Sequence, residues 1–98
     1  MKADLESYRD EIDRIDREMA RLFEQRMAAV ASVADWKSAQ NQSVFQPERE
    51  RQVLANAGAA IADPVIRSYH QSVMKTILEV SKAFQQERIS GDRRDDKT

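Results

Sequence analysis

The sequence contains no cysteine and only one histidine, His70. The lack of cysteine excludes disulfide bonds, thiolate metal sites and catalysis by a thiol. A single imidazole argues against a zinc enzyme and against a histidine-based triad. The residues around His70 are mostly polar, which predicts a solvent-exposed ring with no part in catalysis.

Glycine and proline are also scarce, with two of each in 98 residues. Hydrophobic residues make up 41% of the chain and charged residues 34%, a balance typical of helices rather than of sheets or disorder. We therefore predict an all-α domain. A monomer of this length buries only about 60 to 65% of its unfolded surface, so oligomerisation has to be considered.

Neither sign of charge is in excess, because 16 Lys and Arg face 17 Asp and Glu, for a net charge of −1. This balance argues against a broad binding surface for nucleic acid or for an anionic membrane. Residues 1–10 carry charges where a signal peptide needs an apolar run, and no stretch approaches the roughly 20 apolar residues of a membrane span. We expect a cytoplasmic protein in which any cationic site is local.

The first part of the chain carries an apolar stripe with helical spacing and no Gly or Pro. Its members are Leu5, Tyr8, Ile12, Ile15, Met19, Leu22, Val30 and Val33. The steps of three and four predict one helix over residues 4–39. Such a helix is about 50 Å long, much longer than a compact domain of this size requires. It therefore needs a partner along its length.

Two shorter helices are predicted after a polar stretch at residues 38–46. Pro47, followed by acidic residues, indicates a helix start, and this helix is expected to stop near Gly58. Asp63 and Pro64 are a cap and a first helical residue, and the third helix is predicted to end at about Arg88. Residues 90–98 have many charges and no large apolar residue, so we predict a frayed, disordered tail after the third helix.

Cations lie on or beside the apolar stripe. Its spacing leads to Arg26 and Lys37 where core residues are expected, and Arg9 lies next to it. A buried cation costs several kcal/mol unless it is paired, and Glu50 alone cannot balance these three together with Arg49. An anionic ligand would complete the balance. Alternatively, the three side chains extend along the helix to solvent and bind no ligand. The sequence favours neither interpretation over the other.

The length of the first helix limits how these cations can act together. Roughly 25 Å of helix axis separates Arg9 from Arg26, a distance that no small ligand bridges. If both arginines serve one site, they come from different chains. On the third helix, Ser81 and Gln85 place a hydroxyl and an amide on an otherwise apolar row, although alone such residues are more often at the surface.

Five stretches of the sequence together resemble the all-α class of chorismate mutases over about residues 5–88. They are YRDEIDRID at 8–16, EQR at 24–26, VADWK at 33–37, PERE at 47–50 and SKAFQ at 81–85. One such stretch is weak evidence, whereas five in this order are strong evidence. The resemblance implies one catalytic domain over residues 1–89, followed by the tail at 90–98. It also implies an intertwined homodimer of three-helix protomers. At this chain length we expect a free-standing, monofunctional enzyme of aromatic amino-acid biosynthesis.

The resemblance also implies which residues bind the dianionic substrate, chorismate. Arg26 and the other chain's Arg9 would hold its carboxylates, with help from Arg49 and Ser81. Lys37 would donate a hydrogen bond to the ether oxygen.

Three further expectations concern the rest of the pocket. Gln85 would share the ether oxygen with Lys37, and Glu50 would accept a hydrogen bond from the ring hydroxyl. The apolar wall would consist of Val33, Val53 and Leu78. Gln46 is also expected among the substrate-binding residues, although it departs from the family pattern. Many relatives have an Asp there that can orient Arg49, so loop order or substrate affinity is expected to be weaker. The role of Lys82, a charge where an apolar residue would be easier to bury, stays open.

The reaction that the resemblance implies suits this set of side chains. The conversion of chorismate to prephenate is pericyclic and needs no nucleophile, general base, metal or organic cofactor, so we expect none. The enzyme has to hold the substrate in a reactive, chair-like arrangement. Lys37 and Gln85, aimed at the ether oxygen where negative charge grows, would then stabilise the transition state. Together with Arg26, which would hold a carboxylate, they are the expected catalytic residues.

Three other functions remain open. An isochorismate pyruvate lyase of the same fold has a similar cationic pocket, but the lyases of this type lack the pair formed by Glu50 and Ser81. A mutase acting on an amino analogue of chorismate would keep nearly the same residues. From a different class, a non-catalytic helical dimerisation module would explain the heptad-like first helix and would need no ligand.

Overall fold

The computed structural model describes the backbone of residues 4–95 and the side chains of residues 4–91. The order of elements is α1 (Leu5–Ala39), α2 (Pro47–Ala60) and α3 (Pro64–Asp95). Between residues 4 and 95 the regular secondary structure is entirely helical, as predicted. None of these helices has an apolar stretch sufficient to cross a membrane.

Helix α1 is a single helix of 35 residues, which confirms the prediction for residues 4–39. It begins because the side chain of Asp4 accepts a hydrogen bond of 2.9 Å from the backbone N–H of Ser7, one of the free donors of the first turn. It ends where Asn41 takes a left-handed conformation with φ of 54°, which asparagine tolerates better than most residues do.

Helix α2 begins at Pro47, whose fixed φ and missing N–H suit the first helical position. It continues two residues past the predicted stop at Gly58, to Ala60, because Gly58 does not have the positive φ that would end the helix. Asp63 then caps α3 by accepting a hydrogen bond of 2.9 Å from the backbone N–H of Val65.

Helix α3 is longer than predicted. It runs to Asp95, past the expected end at Arg88. Gly91 does not take a positive φ either, so the chain lacks a left-handed cap at that point and its backbone hydrogen bonds continue. The predicted disordered tail therefore does not begin at residue 90, and residues 96–98 lie outside the described part of the chain.

Helix α3 packs against both α1 and α2 and so joins the three helices. Gln71 on α3 donates a hydrogen bond of 2.9 Å to the backbone oxygen of Leu54 on α2. Gly58 allows this close approach, because a Cβ atom there would lie 2.8 Å from the Gln71 amide nitrogen. On the other side, Arg88 donates hydrogen bonds of 2.8 and 2.9 Å to the carboxylate of Asp35 on α1.

The chain is elongated and has little interior. Its dimensions are 64 × 30 × 15 Å. Among residues 4–91, the buried side chains are those of Ala34, Leu78, Ser81 and Gln85. All residues of α1 from Leu5 to Gln25 are exposed, including its apolar stripe. The small interior therefore lies beside the second half of α1, where the polar side chains of α3 also converge.

Candidate active site

A cavity of about 270 Å³ lies between the second half of α1, the start of α2 and the second half of α3. It is lined by Arg26, Ala29, Val30, Val33, Lys37, Val44, Gln46, Arg49, Glu50, Val53, Leu78, Ser81, Lys82 and Gln85. Apart from Arg9, the structure thus brings every sequence-predicted site residue to one place. The predicted apolar wall, Val33, Val53 and Leu78, is part of the same lining.

Arg26 is held in the cavity by Ser81. Its Nη1 donates a hydrogen bond of 2.6 Å to the Ser81 hydroxyl oxygen, and that hydroxyl donates one of 2.7 Å to the backbone oxygen of Ile77. Ser81 is only 5% exposed. The hydroxyl is buried and makes two hydrogen bonds, one as acceptor and one as donor, so it cannot rotate freely. It therefore restricts the Arg26 guanidinium to few orientations. The remaining N–H groups of Arg26 can then present a planar fork to a carboxylate.

Lys37 and Gln85 form a second polar pair in the cavity. Lys37 Nζ donates hydrogen bonds of 3.0 Å to Gln85 Oε1 and 2.7 Å to the backbone oxygen of Val44. Because the Gln85 oxygen accepts from lysine, its amide NH₂ keeps its donors for another acceptor. Burial lowers the pKa of Lys37 below its ordinary value, and the charge of Glu50 opposes that effect only in part.

The loop before α2 and the first turn of α2 supply the next side of the cavity. Arg49 lies in this turn, and its Nη1 donates a hydrogen bond to Gln52 Oε1. Gln46 caps α2 without a side-chain hydrogen bond to the helix, and its amide instead donates one of 2.8 Å to the backbone oxygen of Ser43. Gln46 thus stabilises the loop itself, while Arg49 is oriented from within its own helix.

Lys82 is the cavity residue to which the sequence assigned no role. Its Nζ lies 3.2 Å from Glu50 Oε2 and 2.8 Å from Glu79 Oε1, and 4.8 Å from the centre of the Phe45 ring. The hydrogen bond with Glu79, ahead of that with Glu50, raises the pKa of Lys82, although burial acts against them. The position of Lys82 directly after Ser81 suggests that it lies near the site. Its ion pair with Glu50 could not be predicted from the sequence, because Glu50 lies on another helix.

Two sequence-predicted features lie away from the cavity. Arg9 is an exposed residue near the start of α1 and does not line the cavity. The prediction of a solvent-exposed His70 is wrong, because the ring is half-buried in α3. Its Nδ1 is buried and has no hydrogen-bond partner within the described part of the chain. The ring does not line the cavity.

The cavity is strongly cationic. Its lining includes Arg26, Lys37, Arg49 and Lys82, with Glu50 as the one carboxylate. This arrangement suits an anionic ligand with more than one negative charge, since four cations of the lining face one carboxylate. Among the described side chains, those of residues 4–91, no group of three or more His, Asp or Glu is placed to hold a metal ion.

The comparison with protein families agrees with this geometry. The model of the family described as chorismate mutase type II matches residues 8–86, which is most of the chain and includes every lining residue of the cavity. No solved structure matches the chain. The match supports chorismate mutase function and the all-helical fold. The chain belongs to the chorismate mutase type II family.

Proposed function

We propose that the cavity binds chorismate and rearranges it to prephenate, in a homodimer where Arg9 of each chain serves the other chain's cavity. The observation that carries the proposal is the meeting of Arg26, Lys37 and Gln85, from two helices, around a volume of about 270 Å³. A cavity of this size suits a small molecule whose charges are all met by side chains.

Substrate binding depends on the arginines. Arg26, oriented by Ser81, binds one carboxylate through its planar fork, and Arg49 adds positive charge at the start of α2. The partner subunit's Arg9 completes the recognition of the dianion. With both carboxylates held, the flexible side chain of the substrate stays over the ring. The conformational entropy is therefore lost when the substrate binds and no longer adds to the activation barrier.

The rate depends on the ether oxygen, where negative charge grows as the carbon–oxygen bond breaks. Lys37 and the NH₂ group of Gln85 are the two donors for that oxygen. Since the side chains are already connected by a 3.0 Å hydrogen bond, they need little rearrangement when the charge develops. One such donor is typically worth about 10²- to 10³-fold in rate, or roughly 3 to 4 kcal/mol.

The remaining groups position the ring. Glu50 accepts a hydrogen bond from the ring hydroxyl, and its pairing with Lys82 holds the carboxylate at the cavity. Val33, Val53 and Leu78 supply the apolar contacts. Gln46 contributes by holding the loop through its bond to Ser43 and not by binding the substrate's charge.

The homodimer is supported by the first half of α1. Tyr8, Ile12 and Met19 are 54%, 55% and 58% exposed, and they form one stripe on a helix that extends beyond the packed part of the protomer. A continuous exposed apolar stripe of this length is typical of an interface. Burying it against a second copy also moves Arg9 away from solvent and towards another chain, because Arg9 lies beside the stripe.

Product identification tests the proposed reaction. Purified protein is incubated separately with chorismate and with isochorismate, and the products are identified by chromatography and mass spectrometry. Prephenate from chorismate is expected. Salicylate and pyruvate from isochorismate, with chorismate untouched, would instead identify a lyase.

Variants of Arg26 separate an enzyme from a non-catalytic dimerisation module. In an enzyme, Arg26→Lys keeps the charge but loses the fork, so kcat/KM falls by about 10²-fold or more while the melting temperature changes little. In that case Arg26→Leu should also fold but should no longer turn over the substrate. A module would need no charge there, so Arg26→Leu would raise the melting temperature and no substrate would be turned over by either protein.

A further inference from the structure

Lys82 is fixed in the cavity by contacts from different parts of the fold. Glu79 binds it from the previous turn of α3, Glu50 binds it from α2, and the ring of Phe45 in the loop before α2 lies under its ammonium group. A lysine over an aromatic face gains a cation–π contact. The ammonium group is therefore held beside the Glu50 carboxylate.

The ion pair is largely shielded from water at the edge of the cavity. The side chains of Lys82 and Glu50 are 23% and 22% exposed, whereas that of Glu79 is 72% exposed. Charge interactions are stronger for the less exposed pair, because water screens them less. The contact that matters for a ligand is therefore the one between Lys82 and Glu50, both of which line the cavity.

This pairing changes what Glu50 can bind. An unpaired carboxylate in the lining would repel a dianion and would attract a positively charged substituent. With Lys82 at 3.2 Å, the two charges nearly cancel, yet Glu50 still has oxygen lone pairs that can accept a hydrogen bond. Such a pair suits a neutral donor such as a hydroxyl group. It disfavours an ammonium group, which would lie close to the like charge of Lys82.

We propose that Lys82 is a specificity-determining residue that makes this site select a ring hydroxyl over a ring amino group. The proposal rests on the proposed function, in which Glu50 receives the ring substituent. An alkylamine is protonated near neutral pH, so the amino analogue of chorismate presents a cation where chorismate presents a neutral donor. The lysine thus separates two substrates that are otherwise bound by the same arginines.

The test measures both compounds on one set of variants. The probes are chorismate and its analogue in which the ring hydroxyl is replaced by an amino group. For a compound that is turned over, KM and kcat/KM are measured by product formation, and for a compound that is bound but not turned over, the dissociation constant is measured by calorimetry, in the wild type and in Lys82→Met. The ratio of affinities for the two compounds is expected to shift by about tenfold towards the amino analogue in Lys82→Met, chiefly through KM.

Two further variants serve as controls. Lys82→Arg keeps the positive charge and is expected to keep the wild-type ratio. Lys75→Met makes the same chemical change at an exposed position of α3 outside the cavity, and it is expected to leave the ratio unchanged. If Lys82→Met does not fold, Lys82→Gln gives a second neutral side chain, with circular dichroism and melting temperature as the checks of folding.

The outcomes distinguish this inference from the proposed function. A folded neutral variant of Lys82 with the wild-type affinity ratio would overturn the inference, even if chorismate is turned over normally. A wild type that binds chorismate without forming prephenate would contradict the proposed function. The ratio of dissociation constants does not depend on turnover, so it would still decide the role of Lys82.

Discussion

The two halves of α1 have the same kind of apolar spacing but different surroundings. From Leu5 to Gln25 every residue is exposed, whereas Arg26, Val30, Ala34 and Lys37 in the second half are partly or fully buried. Helix α3 packs on the second half and supplies Ser81 and Gln85 to its cations. The difference shows that the same periodicity occurs on a packed and on an exposed stretch of one helix, so periodicity alone does not tell which stretch α3 covers.

Separate roles for the halves predict complementation between two inactive proteins. Arg9→Ala in the first half and Arg26→Ala in the second should each lower kcat/KM by about 10²-fold or more. In a mixed dimer, the cavity of the Arg9→Ala chain keeps its own Arg26 and receives an intact Arg9. Random exchange of equal amounts makes about half of the dimers mixed, each with one whole site, so about a quarter of the wild-type activity should return.

Exchange of subunits is verified by mass-tagged chains before activity is measured. The control is Arg26→Ala mixed with a tagged copy of the same variant, which should recover no activity. If verified mixed dimers of the two variants recover none either, Arg9 acts within its own chain or has no part in the site.

The exposed stripe can be disrupted without touching the cavity. Ile12→Glu places a charge on the stripe and should give monomers with strongly reduced activity, because each chain loses about 2 kcal/mol or more of apolar burial and must also desolvate a carboxylate. Arg14→Glu introduces the same side chain on the opposite face, near Ile12, and should remain dimeric. Analytical ultracentrifugation and kcat/KM check both. Two variants with equal sedimentation would contradict the dimer interface.

Lys37, in the second half of α1, is expected to make the rate fall at alkaline pH. Burial lowers the pKa of Lys37 from its ordinary value of 10.5, and only the ammonium form has the charge that stabilises the ether oxygen. As pH rises through this lowered pKa, kcat/KM should fall, at a lower pH than for an exposed lysine. Lys37→Arg stays protonated, so its smaller activity should not show this fall. If the wild type and Lys37→Arg lose activity at the same alkaline pH, the titration of Lys37 does not cause the loss.

The smallest expected effect concerns the contact between the second half of α1 and α3. The hydrogen bond from Arg88, aided by its charge, lowers the pKa of Asp35 below its ordinary value of 3.8, and partial desolvation opposes this. The pair therefore stabilises the fold above that pH and loses this contribution as pH falls through the lowered pKa.

Melting curves measure this contribution. Asp35→Asn should lower the melting temperature by only about 1 to 2 °C at neutral pH, because both side chains are nearly half exposed to solvent. The difference should disappear in strong acid, where Asp35 is protonated. Asp13→Asn, in the unpacked half of α1, is the matched control and should leave the melting temperature unchanged. A difference between Asp35→Asn and the wild type that persists in strong acid would show that the pair acts through packing rather than through charge.

Much of the fold could be predicted because its signals are local. Asp4, Pro47 and Asp63 mark helix starts through hydrogen bonds or fixed dihedral angles within one turn, and each helix begins where those residues indicate. The ends were harder to predict. Gly58 and Gly91 are both helical, because a glycine can end a helix but is not forced to adopt a positive φ.

The sequence by itself determined the length of α1, the stripe along it and the positions of Arg26 and Lys37 on that stripe, since all three follow from a repeat of 3.6 residues per turn. Only the tertiary structure decided that α3 covers the second half alone, that Ser81 orients Arg26, and that Lys82 meets Glu50. Those contacts join residues far apart in the chain, and their energies depend on distance and burial, which no local pattern specifies.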